Sequence, residues 1–140
     1  MEQKMTRREA REQAFILLFE KTFTEDDMDA IVSDAKEARD VKADTFSLDL
    51  ARGTEQHIPE LDEAISAFSH NWNKDRISRV ALSLLRLALY EMRFEKGIPV
   101  SVSINEAVEL AKKYGGEEDA AFINGVLGGI ARQDESDENA

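Results

Sequence analysis

The stretch from Asp75 to Glu95 constrains the fold most, because its apolar residues cover most of the circumference of one helix. These residues are Ile77, Val80, Ala81, Leu82, Leu84, Leu85, Leu87, Ala88, Leu89 and Met92. A helix that is hydrophobic on nearly every side must be buried among other elements. The stretch therefore predicts a central helix, the longest in the chain, around which the remaining helices pack.

One charged residue, Arg86, interrupts this central helix between two leucines. A buried charge loses its hydration, so it is tolerated only when a group of opposite charge pairs with it. We expect that partner to be a carboxylate such as Glu106 or Glu109. Arg86 is therefore predicted to stabilise the fold rather than to bind a ligand.

Helix start signals divide the N-terminal half of the chain. Thr6 and Glu9 have the spacing of a capping box, in which the two side chains satisfy free amides at a helix start. The acidic, weakly periodic segment 24–41 predicts a short second helix. A third is expected to begin near Ala43, and Pro59 suits the first turn of a fourth.

Two further helices are predicted after the central one. Ser103 and Glu106 form a second capping box, which places the start of the sixth helix after an extended connection at residues 100–102. Gly115 is its stop signal, and the acidic run 117–119 suits the start of a seventh helix. No strand pattern of useful length is present, so the predicted fold class is all-α with about seven helices.

The seventh helix contains glycines at positions 125, 128 and 129. Each costs about 1 kcal/mol relative to alanine in an exposed helix, so we expect a neighbouring helix to approach closely there. Residues 133–140 are rich in acidic side chains and are predicted to be a disordered tail. The predicted domain therefore spans residues 1–132.

Composition limits the kind of protein further. A chain of 140 residues is long enough for one domain with its own core, and the lack of cysteine excludes disulfides and thiolate metal sites. A net charge of -11 argues against wrapping nucleic acid over a broad surface. Since no apolar run reaches the length of a membrane span and the N-terminus is polar, a soluble cytoplasmic protein is expected.

The sequence contains few groups suited to catalysis or metal binding. His57 and His70 are isolated from other metal ligands, and the glycine pairs lack the strand and lysine of a phosphate-binding loop. We therefore predict a protein that is not an enzyme and that holds neither a metal nor a cofactor.

Positive charge is concentrated at the start of the first helix. Lys4, Arg7, Arg8 and Arg11 lie within eight residues of one another, and cations in a first turn oppose the helix dipole. A phosphate ligand would offset that unfavourable term. A solvated face relieved by neighbouring glutamates is the alternative, and charge alone leaves the two open.

Phe15, Phe19 and Phe23 recur every four residues along the first helix, beside a separate stripe of alanine and leucine. Two adjacent apolar stripes indicate either a deeply buried helix or a helix with a core on one side and a partner on the other.

Several motifs follow one another in a fixed order. They are LRLALYE at 85–91, Ile-Pro at 98–99, INEAVELAK at 104–112 and FINGVL at 122–127. Together with the arginine-rich start of the first helix, they closely resemble the NusB family of bacterial antitermination factors over residues 6–132. The resemblance implies an all-helical fold of two small packed bundles and the role of an RNA-binding adaptor.

The resemblance also implies partners. In that family the protein pairs with NusE, a protein of the small ribosomal subunit, and the pair binds single-stranded boxA RNA in ribosomal RNA leaders. The complex helps RNA polymerase pass terminators. The resemblance leaves open whether the protein is a monomer or a homodimer.

Individual residues are assigned through the same resemblance. The residues assigned to RNA binding are Lys4, Arg7, Arg8, Arg11 and Phe122. Those assigned to NusE are Phe15, Phe19 and Ala81. Phe122 matches an aromatic near the RNA path, a position from which a ring can stack on a base. Phe19 stands where the family commonly has tyrosine, and Ala81 where some relatives have an acidic residue.

Two alternatives remain open at this stage. A protein-only adaptor would use the phenylalanine stripe and the acidic tail without binding RNA. Separately, Asn105, Glu106 and Asn124 are signature residues of the family, but we expect them to cap helices or to bond between helices. A fragment of an RNA methyltransferase would require a glycine-rich cofactor-binding region, which the sequence lacks.

Overall fold

The computed structural model describes residues 5–39, 45–69 and 77–138. Within those ranges it contains seven helices and no strand, which confirms the all-helical prediction. The helices are α1 (Arg7–Lys21), α2 (Met28–Arg39), α3 (Thr45–Gln56), α4 (Ile58–Ala67), α5 (Arg79–Phe94), α6 (Val100–Tyr114) and α7 (Glu117–Glu138).

Helix α5 is the centre of the fold, as its apolar circumference predicts. Every residue from Ala81 to Leu89 is buried, and α5 packs against α1, α3, α4, α6 and α7. Helices α1, α2 and α3 pack on one another as one bundle, while α6 and α7 form an antiparallel pair with α4 against α7. The central helix therefore belongs to both bundles.

The start of α5 differs from the prediction. Ser78 is the N-cap, and its hydroxyl oxygen accepts a hydrogen bond from the amide of Ala81 at 3.0 Å. The same hydroxyl donates to Asp119 at 2.8 Å, which ties the starts of α5 and α7 together. The predicted starts near Ala43 and Asp75 lie outside the described residues.

The partner of Arg86 is Asp62 on α4, so the prediction of Glu106 or Glu109 is wrong. Arg86 donates through Nε and Nη2 to the two carboxylate oxygens, both at 2.8 Å, and both residues are buried. The structural role expected of Arg86 holds. Helix α4 contacts the face of α5 that carries Arg86, whereas Glu106 points toward α1.

Helix α6 begins four residues earlier than the capping box predicts, at Val100 with Pro99 rather than Ser103 as N-cap. Residues 100–102 are therefore helical rather than extended, and Ser103 is a buried residue inside the helix. Its hydroxyl donates to the Glu91 carboxylate at 2.8 Å. The predicted capping box is absent because both of its members have partners on other helices.

Helix α7, not α5, is the longest helix, since it continues to Glu138. The prediction of disorder from residue 133 is therefore wrong for residues 133–138, and residues 139–140 lie outside the described part. Arg93 of α5 donates to both carboxylate oxygens of Asp134 at 3.0 and 3.2 Å. This ion pair holds the acidic end of α7 against the body of the protein.

The three glycines of α7 differ in their surroundings. A Cβ at Gly129 would lie 3.0 Å from Phe68, so the predicted close approach is confirmed there. Among the described residues, an added Cβ at Gly125 would meet nothing within 4 Å, and at Gly128 it would meet only Arg132 of the same helix. The prediction is therefore wrong for Gly125 and Gly128.

We expect Gly125→Ala to raise the free energy of unfolding by about 0.5–1 kcal/mol, because alanine loses less conformational entropy in a helix and has open space here. Gly129→Ala is the matched control, whose gain should be offset by crowding against Phe68. Urea denaturation of both variants measures the difference. A destabilised Gly125→Ala variant would contradict this assignment.

Candidate nucleic-acid interface

The first turn of α1 places two arginines at the surface. Thr6 is the N-cap, and its hydroxyl oxygen accepts from the Glu9 amide at 3.1 Å, as the sequence predicts. The same hydroxyl donates to the Glu9 carboxylate at 3.1 Å. The helix therefore begins at Arg7, and Arg7 and Arg8 are both exposed. Lys4 lies outside the described residues.

The guanidinium of Arg7 lies over an aromatic ring of helix α3. Its guanidinium carbon lies 3.7 Å from the ring centroid of Phe46, at the start of α3. A guanidinium over an aromatic face is stabilised by the ring quadrupole and leaves its edge donors free. Arg7 is therefore oriented while it remains accessible to an anion.

Arg8 makes a bidentate ion pair with Glu106 of α6. Its Nε and Nη2 donate to the two carboxylate oxygens at 3.1 and 3.0 Å, and the arginine side chain is 71% exposed. The hydrogen bond and the charge of Glu106 raise the pKa of Arg8 above its usual value. The donors on Nη1 are not used in this pair, so Arg8 can still bind a phosphate oxygen.

Arg11 lies in a different environment from the other two arginines. Its residue is 7% exposed, and Nε and Nη2 lie 2.8–3.0 Å from the carboxylate oxygens of Glu91. Glu91 is itself 1% exposed and also accepts from Ser103. Arg11 therefore joins α1, α5 and α6 in the interior, and its location does not favour the predicted contact with RNA.

Lys113 extends the positive charge beside α1. Its Nζ lies 2.8 Å from a carboxylate oxygen of Glu12, and this hydrogen bond raises the pKa of the lysine. The lysine side chain is more than half exposed. Helices α1 and α6 thus each contribute cations whose carboxylate partners lie on the other helix.

Phe122 is half-buried on α7 and packs against the hydrophobic core. Helical geometry places it on the side of α7 away from α6, since residues 117, 121 and 124 face the groove between those two helices. Phe122 therefore does not lie beside Arg7 and Arg8. An RNA strand would have to cross the α6–α7 hairpin to reach all three.

The residues assigned to a protein partner are not all at the surface. Phe15 and Ala81 are buried, at 2% and 1% exposed, whereas Phe19 is half-buried. The Phe19 ring meets the edge of Phe23 with centroids 5.1 Å apart. The predicted partner contact at Phe15 and Ala81 is therefore not available on this surface, and both residues belong to the core.

Phe23 and Arg79 extend the exposed aromatic surface beyond the predicted residues. Phe23 is 62% exposed, and the Arg79 guanidinium carbon lies 4.3 Å from its ring centroid. Arg79 also donates to the backbone oxygen of Thr22. The four-residue spacing of the phenylalanines indicates Phe23, but no local signal identifies Arg79, which lies on a helix far along the chain.

Asn105 and Asn124 are exposed on facing helices, and their side-chain amides have no hydrogen-bond partner among the described residues. The prediction that they cap helices or bond between helices is therefore not supported for the two asparagines, whereas Glu106 does bond between helices, to Arg8. Among the same residues, no group of three or more histidines and carboxylates is arranged to hold a metal ion. No described helix is sufficiently long and apolar to traverse a lipid bilayer.

The fold and this surface define a class: all-helical proteins of two bundles that present arginines at the start of the first helix. A model of the NusB family matches residues 8–132, so the chain belongs to the NusB family. It is 43% identical to the transcription antitermination protein NusB of Clostridium botulinum (strain Loch Maree / Type A3), covering 89% of this chain and 98% of that protein.

Solved structures agree with this assignment. The structure of T. maritima NusB superposes with a TM-score of 0.80 at 37% identity and covers 93% of both chains. A crystal structure of the antitermination factors NusB and NusE in complex with dsRNA matches with a TM-score of 0.80 at 27% identity, covering 91% of this chain and 96% of that one.

Proposed function

We propose that this protein is a transcription antitermination adaptor that binds boxA RNA of ribosomal RNA leaders together with NusE and helps RNA polymerase pass terminators. The names of the curated relatives and the solved complex of NusB and NusE with dsRNA support the proposal. It acts in the cytoplasm, where transcription takes place. The role requires no catalysis, and the chain is not an enzyme.

The observation that carries the proposal is the exposed pair Arg7 and Arg8 in the first turn of α1. A guanidinium can donate two parallel hydrogen bonds to a phosphate, and its plane can also stack on unpaired bases. Lys4 precedes this turn and is proposed to extend it. Phe122 is proposed to stack on a base farther along the strand.

The proposed contact to NusE is centred on Phe19. Its ring lies beside the exposed Phe23, over which Arg79 is placed, so the surface combines aromatic area with charge. Such surfaces are enriched in protein interfaces. Phe15 and Ala81 are proposed to support this surface from the core rather than to touch the partner.

Binding to a boxA-like single-stranded RNA, with and without purified NusE, across salt concentrations tests the proposal. We expect affinity that falls as salt rises, because phosphate contacts release counterions, and tighter binding when NusE is present. Absence of RNA binding in both arms would exclude the RNA-binding role.

The exposure of Phe23 favours one second candidate, a protein-only adaptor. In that case NusE would bind without RNA, and RNA would bind neither the protein nor the pair. Sedimentation of the protein alone and with NusE measures the partner contact and any homodimer in the same experiment.

We expect Glu106→Gln to tighten RNA binding about 2–5-fold at moderate salt, because glutamine keeps the size of the side chain but no longer competes with phosphate for Arg8. Titration of labelled RNA with both proteins measures the change. Glu63→Gln, which removes an exposed carboxylate from α4, is the control. Weaker binding by Glu106→Gln would show that the pair orients Arg8 for RNA instead.

A further inference from the structure

A groove of about 510 Å³ lies between α6 and α7. Its apolar lining comes from Ile104, Val108 and Ala120, which are buried or half-buried, together with the exposed Ala121. The polar side chains that line it include Asn105, Asn124 and Lys112. An apolar wall with amides beside it matches the two parts of a nucleobase, its flat face and its hydrogen-bonding edge.

The side chains of Asn105 and Asn124 make no hydrogen bond that would stabilise the fold within the described part of the chain. Both lie inside helices, where asparagine is less favourable than alanine, and neither amide has a hydrogen-bond partner there. Each amide has a donor group and an acceptor oxygen, the combination that pairs with a base edge. They face one groove from opposite helices, so a single ligand can contact both.

The groove and the proposed RNA contact on α1 lie on two sides of helix α6. Asn105 directly precedes Glu106, whose carboxylate holds Arg8, so a strand bound at Arg8 needs only to pass over α6 to enter the groove. Lys112 is about half exposed, and its Nζ lies 3.5 Å from Glu109, a weak pair that leaves it able to bind a phosphate.

We propose that this groove is a subsite for one unstacked nucleobase of single-stranded RNA, with Asn105 and Asn124 reading its edge and Lys112 binding the adjoining phosphate. The inference rests on the proposed RNA-binding function and deepens it. It assigns base recognition to α6 and α7, whereas Arg7 and Arg8 bind the backbone without regard to sequence.

An abasic-site scan of the RNA tests the subsite. A set of boxA-like RNAs, each lacking one base, is titrated with the full chain and with the Asn105→Ala/Asn124→Ala variant. The unaltered protein should lose about 5-fold or more in affinity at one position. The variant should bind the intact RNA about 5-fold more weakly and should lose nothing further at that position.

Controls separate this result from a general defect. Gln56→Ala removes an exposed amide from α3 and should bind every RNA as the unaltered protein does. Lys112→Ala should lower the magnitude of the slope of log affinity against log salt concentration by about 0.7, because one phosphate contact is lost. The asparagine variant should leave that slope unchanged. Ala121→Leu, which fills the groove without removing a polar group, should reproduce the loss at the same position.

Two outcomes would overturn the subsite while leaving the proposed function intact. In one, the asparagine variant binds intact RNA as tightly as the unaltered protein. In the other, it binds more weakly but still loses affinity at every abasic position that affects the unaltered protein. If the unaltered protein binds none of the RNAs, the proposed function itself fails.

Discussion

Replacing Arg11 with alanine is expected to lower the free energy of unfolding by about 3–5 kcal/mol, because Glu91 would keep a buried charge without its ionic partner. The hydroxyl of Ser103 would remain as a donor to that carboxylate, but it carries no charge. Chemical denaturation monitored by circular dichroism measures the loss. Arg8→Ala, which removes the same side chain from an exposed pair, should leave stability nearly unchanged.

A double-mutant cycle separates the ion pair from the packing of the arginine stem. Arg11→Met/Glu91→Met replaces both charges with apolar side chains, which is often close to neutral for a buried pair. The double variant should therefore be more stable than the sum of the two single changes predicts. A loss below about 1 kcal/mol for Arg11→Ala would mean that Glu91 becomes solvated in the native state.

Helical spacing predicts that Arg11 faces the interior. Arg11 lies three, four and seven residues before Ala14, Phe15 and Leu18, all of which are buried. It therefore belongs to the inward face. Arg7 has the same spacing to the buried Ala10, Arg11 and Ala14, but it is the first residue of the helix and stays exposed. The arginine-rich composition of this segment indicates a shared role. The helix period separates Arg8 from Arg11, and the position of Arg7 at the helix end keeps it at the surface.

The same argument explains the error at Ser103. Its spacing to Glu106 satisfies the pattern of a capping box, but Ser103 also lies four and seven residues before the buried Ala107 and Leu110. The local motif and the core pattern therefore compete, and packing against Glu91 prevails. Pro99, with its fixed backbone angle, supplies the N-cap position instead.

Partner choice is the part of the fold that the sequence could not predict. The need of Arg86 for a carboxylate follows from its burial, but Asp62, 24 residues earlier, is one of many acidic residues in the chain. Likewise, nothing near residue 134 indicates that Arg93 holds it. The central position of α5 was predictable because a hydrophobic circumference constrains one helix, whereas an ion pair depends on how two helices meet.

Removing both exposed arginines is expected to cause the largest loss of RNA binding. If Arg7 and Arg8 each contact one phosphate of single-stranded RNA, Arg7→Ala/Arg8→Ala should lower the magnitude of the slope of log affinity against log salt concentration by about 1.4. At roughly 0.15 M salt that corresponds to a loss of about 15-fold, taking about 1 M salt as the point where the electrostatic contribution vanishes. The melting temperature should change little, since both side chains are exposed.

Net charge alone would also weaken RNA binding, so the control must remove the same charge elsewhere. Lys36→Ala/Arg52→Ala deletes two exposed cations from α2 and α3 and produces the same change in net charge. We expect it to leave the salt dependence nearly unchanged, because distant charges are screened within about 10 Å at roughly 0.1 M salt. Equal losses in the two double variants would mean that RNA responds to overall charge. A selective loss in Arg7→Ala/Arg8→Ala would place the phosphate contacts at the start of α1.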